Sequence, residues 1–151
     1  MLDLLRRLRT TRLHGVAAWA PTIARVAAGA VFVSQSFGKL FDYSNEVHDF
    51  RRYEVPWPEV ALPAVGVLEL VGGVLLVVGV LTRPAALALA LNMVGAIATA
   101  GRVEGGTFNL VVAPLMLAAM LFVLWAGPGR WSVDEHLDAR MTNGTLATRE
   151  R

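Results

Sequence analysis

Cysteine is absent from the 151-residue sequence, and this absence removes several kinds of chemistry. Without a thiol the chain has no disulfide, no catalytic cysteine, no thiolate metal site and no cysteine ligand for an iron–sulfur cluster. Any redox role must therefore come from a bound cofactor or from a partner chain.

Charged residues are also scarce, at 17% of the sequence against 55% hydrophobic residues. A soluble domain carries about 25% charged residues, and a bilayer-spanning helix needs about 20 mostly apolar ones. The composition and several apolar runs therefore predict an integral membrane protein, with the lipid bilayer as a partner. The pI of about 9.7 does not indicate a nucleic-acid partner, because the basic residues flank the apolar runs instead of forming a separate face.

Four apolar runs approach the length that crosses a bilayer core of about 30 Å. The predicted spans are residues 19–40, 61–81, 85–100 and 108–126. They predict an all-α integral membrane protein, a four-transmembrane-helix bundle over residues 19–126. A basic N-terminal segment, 1–18, precedes the bundle as either an interfacial helix or a disordered leader, and a C-terminal segment, 127–151, follows it.

The arginines outside the spans predict the orientation, because Lys and Arg favour the cytoplasmic side. On one side of the predicted bundle lie nine arginines: Arg6, Arg7, Arg9, Arg12, Arg83, Arg130, Arg140, Arg149 and Arg151. The other side holds three: Arg51, Arg52 and Arg102. We therefore expect both termini in the cytoplasm.

Glu69 is the single charge in the apolar run 61–81. The leucines and valines of that run contribute roughly −5 kcal/mol to insertion, against roughly +3 kcal/mol for a central charge, so the helix still inserts. An ionisable residue held at this depth faces protein or water and has a partner. Glu69 is therefore the first candidate for a functional or packing role.

The first span supplies candidate partners for Glu69. Counted at 1.5 Å per residue, Gln35 and Lys39 lie in the same outer half of the bilayer as Glu69, and we expect one of them to contact it. Arg25 lies toward the inner leaflet, where we expect it near Asn92 and near Asp134, an opposite charge. The sequence thus predicts two polar clusters.

Glycines accompany these polar residues along the first and second spans. Small residues let helix backbones approach closely. The predicted helix-packing glycines are Gly29, Gly66, Gly72 and Gly73. A buried pair that only fixes helix register remains an alternative to a ligand site or a proton relay.

The connection 41–60 is acidic and aromatic, and we expect a solvated loop with one helical turn at most. His48 stands there among Asp42, Glu46 and Asp49, but a lone histidine without a second nitrogen ligand is a weak metal signal. No structural metal is expected.

Several short motifs, taken in order, resemble the DoxX family of small four-helix bacterial membrane proteins. They are Arg25, Gly29 and Phe32 in the first span, then Gly38–Lys39, the run LELVGGVLLVVGVLTRP ending at Pro84, an Asn92–Met93 pair, and GPGRWSVD at 127–134. The resemblance covers about Arg25 to Asp134. It makes Arg83, Arg130 and Asp134 a motif of the inner face and the bacterial cytoplasmic membrane the expected location.

The resemblance implies a membrane subunit of an oxidoreductase or oxidative-stress assembly, because the family is similar to membrane subunits of thiosulfate:quinone oxidoreductases. It therefore implies a quinone ligand and protein partners, and an accessory subunit in preference to a self-sufficient enzyme. Haem is not expected, because all three histidines lie outside the predicted spans. The alternatives are a non-catalytic scaffold or assembly factor and, third, a small-solute or proton channel; a homo-oligomer remains open.

Overall fold

The computed structural model describes residues 12–13, 15–104 and 108–136, and within them the secondary structure is helical throughout. Five main helices follow one another: α1 (Trp19–Phe41), α2 (Tyr43–Arg52), α3 (Pro58–Val78), α4 (Thr82–Ala98) and α5 (Ala113–Ala126). Three shorter pieces join them: a 3₁₀ turn (Gly15–Ala18), a helical turn (Ala100–Val103) and a π turn (Phe108–Val112).

Among the described residues, three helical stretches are long and apolar enough to cross a membrane: Gly15–Phe41, Pro58–Val78 and Thr82–Val103. The apolar stretch Leu110–Ala126 is shorter. The chain is thus an all-helical protein with three to four apolar helices suited to membrane crossing. Most of the predicted N-terminal segment, and the C-terminal segment beyond residue 136, lie outside the described residues.

Helices α3 and α4 both begin three residues before the predicted spans, at Pro58 and Thr82. The turn between them is Gly79–Leu81, since Gly79 (φ 77°) and Leu81 (φ 47°) both have left-handed backbones. Thr82, Arg83 and Pro84, which lie between the predicted spans 61–81 and 85–100, are instead the first turn of α4. A proline is compatible with a first helical turn, where its missing N–H leaves no bond unmade.

Helix α2 differs from the expected acidic loop, because ten residues of the connection are helical. Val47 and Phe50 are half-buried while Ser44, Asn45 and His48 are exposed. One apolar side of a short helix therefore lies on the bundle, and this amphipathic pattern is what a composition-based view of the connection overlooked.

The last apolar helix departs from regular α-helical geometry just before Pro114. Residues Phe108–Val112 form a π turn and α5 begins at Ala113, so Pro114 lies in the first turn of α5. A proline ring clashes with the carbonyl four residues earlier, and a widened turn relieves that clash.

The bundle is held by a close crossing of α1 and α3 and by a small apolar core. A Cβ built on Gly29 would lie 2.8 Å from the carbonyl oxygen of Gly73, and a Cβ on Gly73 would lie 2.8 Å from that of Gly29. Only glycine lets the two backbones meet this closely. Phe32 of α1 and Leu76 of α3 pack there with α4 and α5 side chains such as Leu89.

The two ends of the bundle are formed by different segments of the chain. At one end, which we call the Arg25 face, lie the start of α1, the α3–α4 turn and residues 127–136, here named the docking segment. The backbone N–H groups of Arg12 and Arg130 donate there to the carbonyls of Ala126 and Ala18, at 2.8 and 3.3 Å. At the other end, the α2 face, the hydroxyl of Tyr53, just after α2, donates to the carboxylate of Glu104, just after the helical turn Ala100–Val103.

Candidate functional site

Glu69 points into the bundle and not toward lipid. Its residue is 3% exposed, and it lies on the buried stripe of α3 together with Leu62, Gly66, Gly73 and Leu76. A carboxylate at such a position costs several kcal/mol unless charge and hydrogen bonds compensate it. Its partners therefore define the site.

Lys39 supplies the compensating charge. Its Nζ lies 2.8 Å from Glu69 Oε2, and the two side chains are 15% and 4% exposed. The ammonium also donates to the backbone carbonyl of Gln35 at 3.4 Å, one turn earlier in α1. A Cβ on Gly66 would lie 3.0–3.2 Å from Leu40 and Lys39 side-chain atoms, so this glycine makes room for the Lys39 stem.

Asn92 of α4 completes the site, which we call the Glu69 cluster (Lys39, Glu69 and Asn92). Its Nδ2 donates to Glu69 Oε1 at 2.9 Å. The sequence predicts Asn92 nearer to Arg25, whereas the structure places it against Glu69. Glu69 lies ten residues before Gly79 and Asn92 ten residues after Thr82, so the two are level across an antiparallel hairpin once its turn is located.

Gln35 takes part through its backbone carbonyl, and the described residues include no hydrogen bond from its side chain. Its side chain is half-buried, one turn before Lys39. Of the two partners expected for Glu69, the structure therefore brings Lys39 and not the Gln35 amide into contact with the carboxylate.

Glu46 of α2, which the sequence analysis did not single out, lies beside the cluster. Its Oε1 would be 2.8 Å from a Cβ on Gly38, the residue before Lys39. Burial raises the pKa of the Glu46 carboxyl; the nearby Lys39 charge acts against this, and Asp49, Asp42 and Glu69 add to it. The signal in the sequence was the Gly38–Lys39 pair, whose glycine leaves room for a side chain from the next helix.

An apolar groove of about 500 Å³ lies between α1 and α3, but the Glu69 cluster does not line it. The lining residues are Ala30, Val33, Ser34, Phe37, Val74, Val77 and Val78. Most of these side chains are exposed on the outer surface of the bundle. This groove is therefore not a pocket for a ligand bound at Glu69.

Arg25 forms the second polar cluster, and backbone carbonyls satisfy its guanidinium. Nε donates to Pro128 (2.8 Å), Nη1 to Leu76 and Val77 (2.6 and 2.8 Å), and Nη2 to Trp131 (3.0 Å). Arg25 is 1% exposed. The carbonyls at the end of α3 have no partner within their own helix and carry partial negative charge, so a buried cation is stabilised there.

Asp134 lies in the same region, although its partners are not those we expected. Its carboxylate accepts the backbone N–H groups of Leu81 (3.2 Å) and Thr82 (2.9 Å). A carboxylate at a helix N-terminus satisfies orphan donors and complements the helix dipole. Arg25 and Asp134 are thus near enough for their opposite charges to act on each other, and two sets of backbone contacts fasten the docking segment to the α3–α4 turn.

The other two residues of the predicted inner-face motif, Arg83 and Arg130, also lie at the Arg25 face. The Arg130 guanidinium stands 5.8 Å from the ring centroid of Trp19, and its carbonyl accepts a hydrogen bond from the Thr22 hydroxyl at 2.9 Å. Arg83 is half-buried in the first turn of α4, close enough to Arg12 for their charges to repel. Cation–π contacts and interfacial tryptophans are typical of the membrane–water boundary.

Ser132 and Glu135 form two local hydrogen bonds near the end of the docking segment. The Glu135 N–H donates to Ser132 Oγ at 3.1 Å, and the Glu135 carboxylate accepts the Trp131 N–H at 3.1 Å. This local capping holds residues 133–136 in a short helical turn, which presents Asp134 to α4.

Comparison with known proteins identifies the family. A family model described as DoxX matches residues 20–102, more than half of the chain. The chain belongs to the DoxX family. This DoxX protein is also 37% identical, over 133 residues, to an uncharacterised membrane protein of Mycobacterium tuberculosis, with 78% of this chain and 81% of the relative covered. No solved structure matches the chain.

The DoxX match includes every member of the Glu69 cluster and Arg25, and it ends before the docking segment. The family, the membrane-protein relative and the apolar helices together make this DoxX protein a multi-pass bacterial membrane protein. Its specific activity has to be argued from the clusters.

Proposed function

We propose that this DoxX protein is an accessory membrane subunit of a quinone-linked oxidoreductase assembly, and that the Glu69 cluster receives the quinone head group. The observation that carries the proposal is the ion pair of Lys39 and Glu69 at 2.8 Å, with Asn92 at 2.9 Å, deep in apolar helices. Glu69 is about 16 Å along α3 from Pro58 at 1.5 Å per residue. Ionisable residues at such a depth are costly and mark functional sites.

The chemistry of the cluster suits a quinone. Quinone carbonyl oxygens accept hydrogen bonds, and the Lys39 ammonium and the Asn92 amide are both donors. A quinol gives up protons when it is oxidised, and Glu69 is a carboxylate that can accept one. The electrons would pass to or from a redox partner subunit, because the chain has no cysteine and no histidine within its predicted spans.

The part of the cluster that a ligand can reach is Lys39. Its side chain keeps 15% of its surface exposed, whereas that of Glu69 keeps 4%. Lysine has a flexible four-carbon stem and moves more readily than a packed carboxylate. A quinone head that displaces the ammonium from Glu69 would therefore enter from the α2 face.

A non-catalytic scaffold is the second candidate, and one observation favours it. Every polar side chain of the Glu69 cluster already has a partner within the bundle, and the apolar groove lies elsewhere. In that case the ion pair fixes the register of α1, α3 and α4, and the protein acts through partners bound to its surface.

The same proposal includes four membrane crossings with both termini in the cytoplasm. Its support is that the start of α1 and the end of α5 meet at the Arg25 face, as an even number of crossings requires. By their positions in the sequence, nine arginines flank the span ends that belong to the Arg25 face, and three flank those that belong to the α2 face. Positive charge favours the cytoplasmic side of a membrane. The docking segment is then a cytoplasmic surface for a partner.

Native mass spectrometry after extraction in a mild detergent tests the function. The proposal expects a stoichiometric quinone on the wild-type protein and its loss from Glu69→Gln and Lys39→Met. Glu59→Gln is the matched control, because Glu59 pairs with Arg51 at the exposed start of α3 and should keep the quinone. A protein that carries only bulk phospholipid, with all three variants folded, would favour the scaffold.

A further inference from the structure

The Glu46 carboxylate lies beside the Glu69 cluster, next to Gly38. Oε1 occupies the space over Gly38, at 2.8 Å from where a Cβ would be, and Gly38 adjoins Lys39. Glu46 itself is half-buried, whereas Asn45 and His48 on the same helix are exposed. The side chain therefore turns inward, toward the bundle, although α2 lies at its surface.

Lys39 is placed between two carboxylates of different burial. Glu69 is in direct contact at 2.8 Å, and Glu46 is close enough for its charge and that of Lys39 to act on each other. The other charged groups that face Glu46 are Asp42 before α2 and Asp49 within it. The Lys39 ammonium thus faces an inner carboxylate, Glu69, and an outer one, Glu46, and the two aspartates add negative charge on the outer side.

We propose that Glu46 and Lys39 form a proton path that connects the buried Glu69 with water on the α2 face. The order of burial supports the path, since exposure increases from Glu69 through Lys39 to the surface helix. Burial also raises the pKa of Glu46, so this carboxyl keeps its proton at a higher pH than an ordinary glutamate does. A donor with a pKa nearer to neutral transfers protons more effectively.

Inward transfer of one proton takes three steps, with each proton lost by one group gained by the next. An N–H bond of the Lys39 ammonium breaks as an O–H bond forms on Glu69, leaving a neutral amine and a neutral carboxyl. The Glu46 carboxyl then gives its proton to the amine, after the flexible lysine stem has moved the nitrogen outward. Glu46 finally takes a proton from water, so one proton has passed from water to Glu69, and the reverse order releases it.

This inference deepens the proposed function and rests on it for its purpose, because a quinone at Glu69 must exchange protons with one side of the membrane. The two can still fail separately. Proton access to Glu69 is measured on the protein without quinone, and quinone retention is measured without any pH gradient.

Labelling of Glu69 by dicyclohexylcarbodiimide tests the path, because this apolar reagent modifies protonated carboxyls within membranes. The full chain is reconstituted in phosphatidylcholine vesicles with the α2 face outside and the interior held at about pH 8, while the outer pH is lowered toward about 5, close to the ordinary glutamate pKa of about 4.3. Mass spectrometry of the Glu69 peptide gives the labelling rate. Glu54→Gln is the matched control, an exposed carboxyl just after α2.

The path predicts that labelling of Glu69 follows the outer pH and not the inner one. Glu46→Gln should slow the acid-driven rise at least about tenfold, which is ~1.4 kcal/mol in a barrier. Glu46→Asp should restore part of it, and Glu54→Gln should behave as wild type. Labelling that follows the inner pH, that is absent at every outer pH, or that is unchanged in Glu46→Gln would overturn the proposal.

Discussion

Replacing Lys39 by methionine leaves Glu69 buried without its cation, and the loss of stability follows from the geometry. Methionine has a similar length, so the packing against Gly66 is kept while the charge is lost. An unpaired ionised carboxylate in such a site costs several kcal/mol. The side chain therefore takes up a proton in the folded variant, which limits the loss.

The free-energy cost of this protonation sets the size of the stability loss. At pH 7 protonating an ordinary glutamate costs about 3.7 kcal/mol, because its pKa is about 4.3 and each unit is worth about 1.36 kcal/mol. We expect Lys39→Met to lower the free energy of unfolding by about 3–4 kcal/mol at pH 7. The folded variant holds a proton that the unfolded chain releases above about pH 4.3, so its stability falls as pH rises and recovers by about 1.4 kcal/mol per unit on acidification.

The assay is unfolding of the purified protein by sodium dodecyl sulfate in mixed micelles, followed through the four tryptophans from about pH 5 to 8. Arg51→Met is the control: it removes the cation of the exposed Arg51–Glu59 pair, and its effect should be much smaller and flat with pH. A loss for Lys39→Met below about 1 kcal/mol, the size of a surface pair, or one that does not change with pH, would refute the reasoning.

Contacts outside the Lys39–Glu69 pair also set the stability and local order of the bundle. Gly73→Ala should lower the free energy of unfolding by roughly 1–3 kcal/mol, because its Cβ would lie 2.8 Å from the Gly29 carbonyl; Gly95→Ala, with nothing within 4 Å of its Cβ, should not, and both are read in the same unfolding assay. Arg25→Lys keeps the charge but loses the planar fork of donors, so the docking segment should be cut faster by chymotrypsin, and an unchanged rate would contradict this. Glu46→Gln should raise the thermal midpoint at neutral pH, because burial raises the pKa of Glu46 in the folded protein and the wild type therefore loses stability as pH rises. The gain should vanish below pH 4.5, the ordinary pKa of this carboxyl. A gain that persists there would contradict the burial of Glu46.

The α1–α3 contacts were accessible from the sequence because they depend on depth and periodicity. Counting residues from the outer end of each span placed Lys39 in the same outer half of the bilayer as Glu69, and helical spacing placed Gly29 and Gly73 on stripes that face a neighbour. Depth along a straight helix is fixed by 1.5 Å per residue, so errors remain small over one span.

The position of Asn92 relative to Glu69 depends on where the turn between α3 and α4 lies, and the sequence pattern places that turn a few residues too late. Thr82–Arg83–Pro84 has the composition of a turn, yet Gly79 ends α3 and α4 begins at Thr82 because Asp134 caps it from 52 residues away. Contacts of this kind, like the carbonyls around Arg25, use backbone groups that every residue carries. No side-chain pattern distinguishes them in advance.

The central claim, that the Glu69 cluster binds the quinone head group, is tested most directly by photoaffinity labelling. A quinone with an azide on its ring is irradiated with the reconstituted protein, and the modified peptides are identified by mass spectrometry. We expect adducts on α1 near Lys39 and on α3 and α4 near Glu69 and Asn92, suppressed by excess unmodified quinone. Adducts confined to the α1–α3 groove around Val74, or spread over lipid-facing residues and not suppressed, would contradict it.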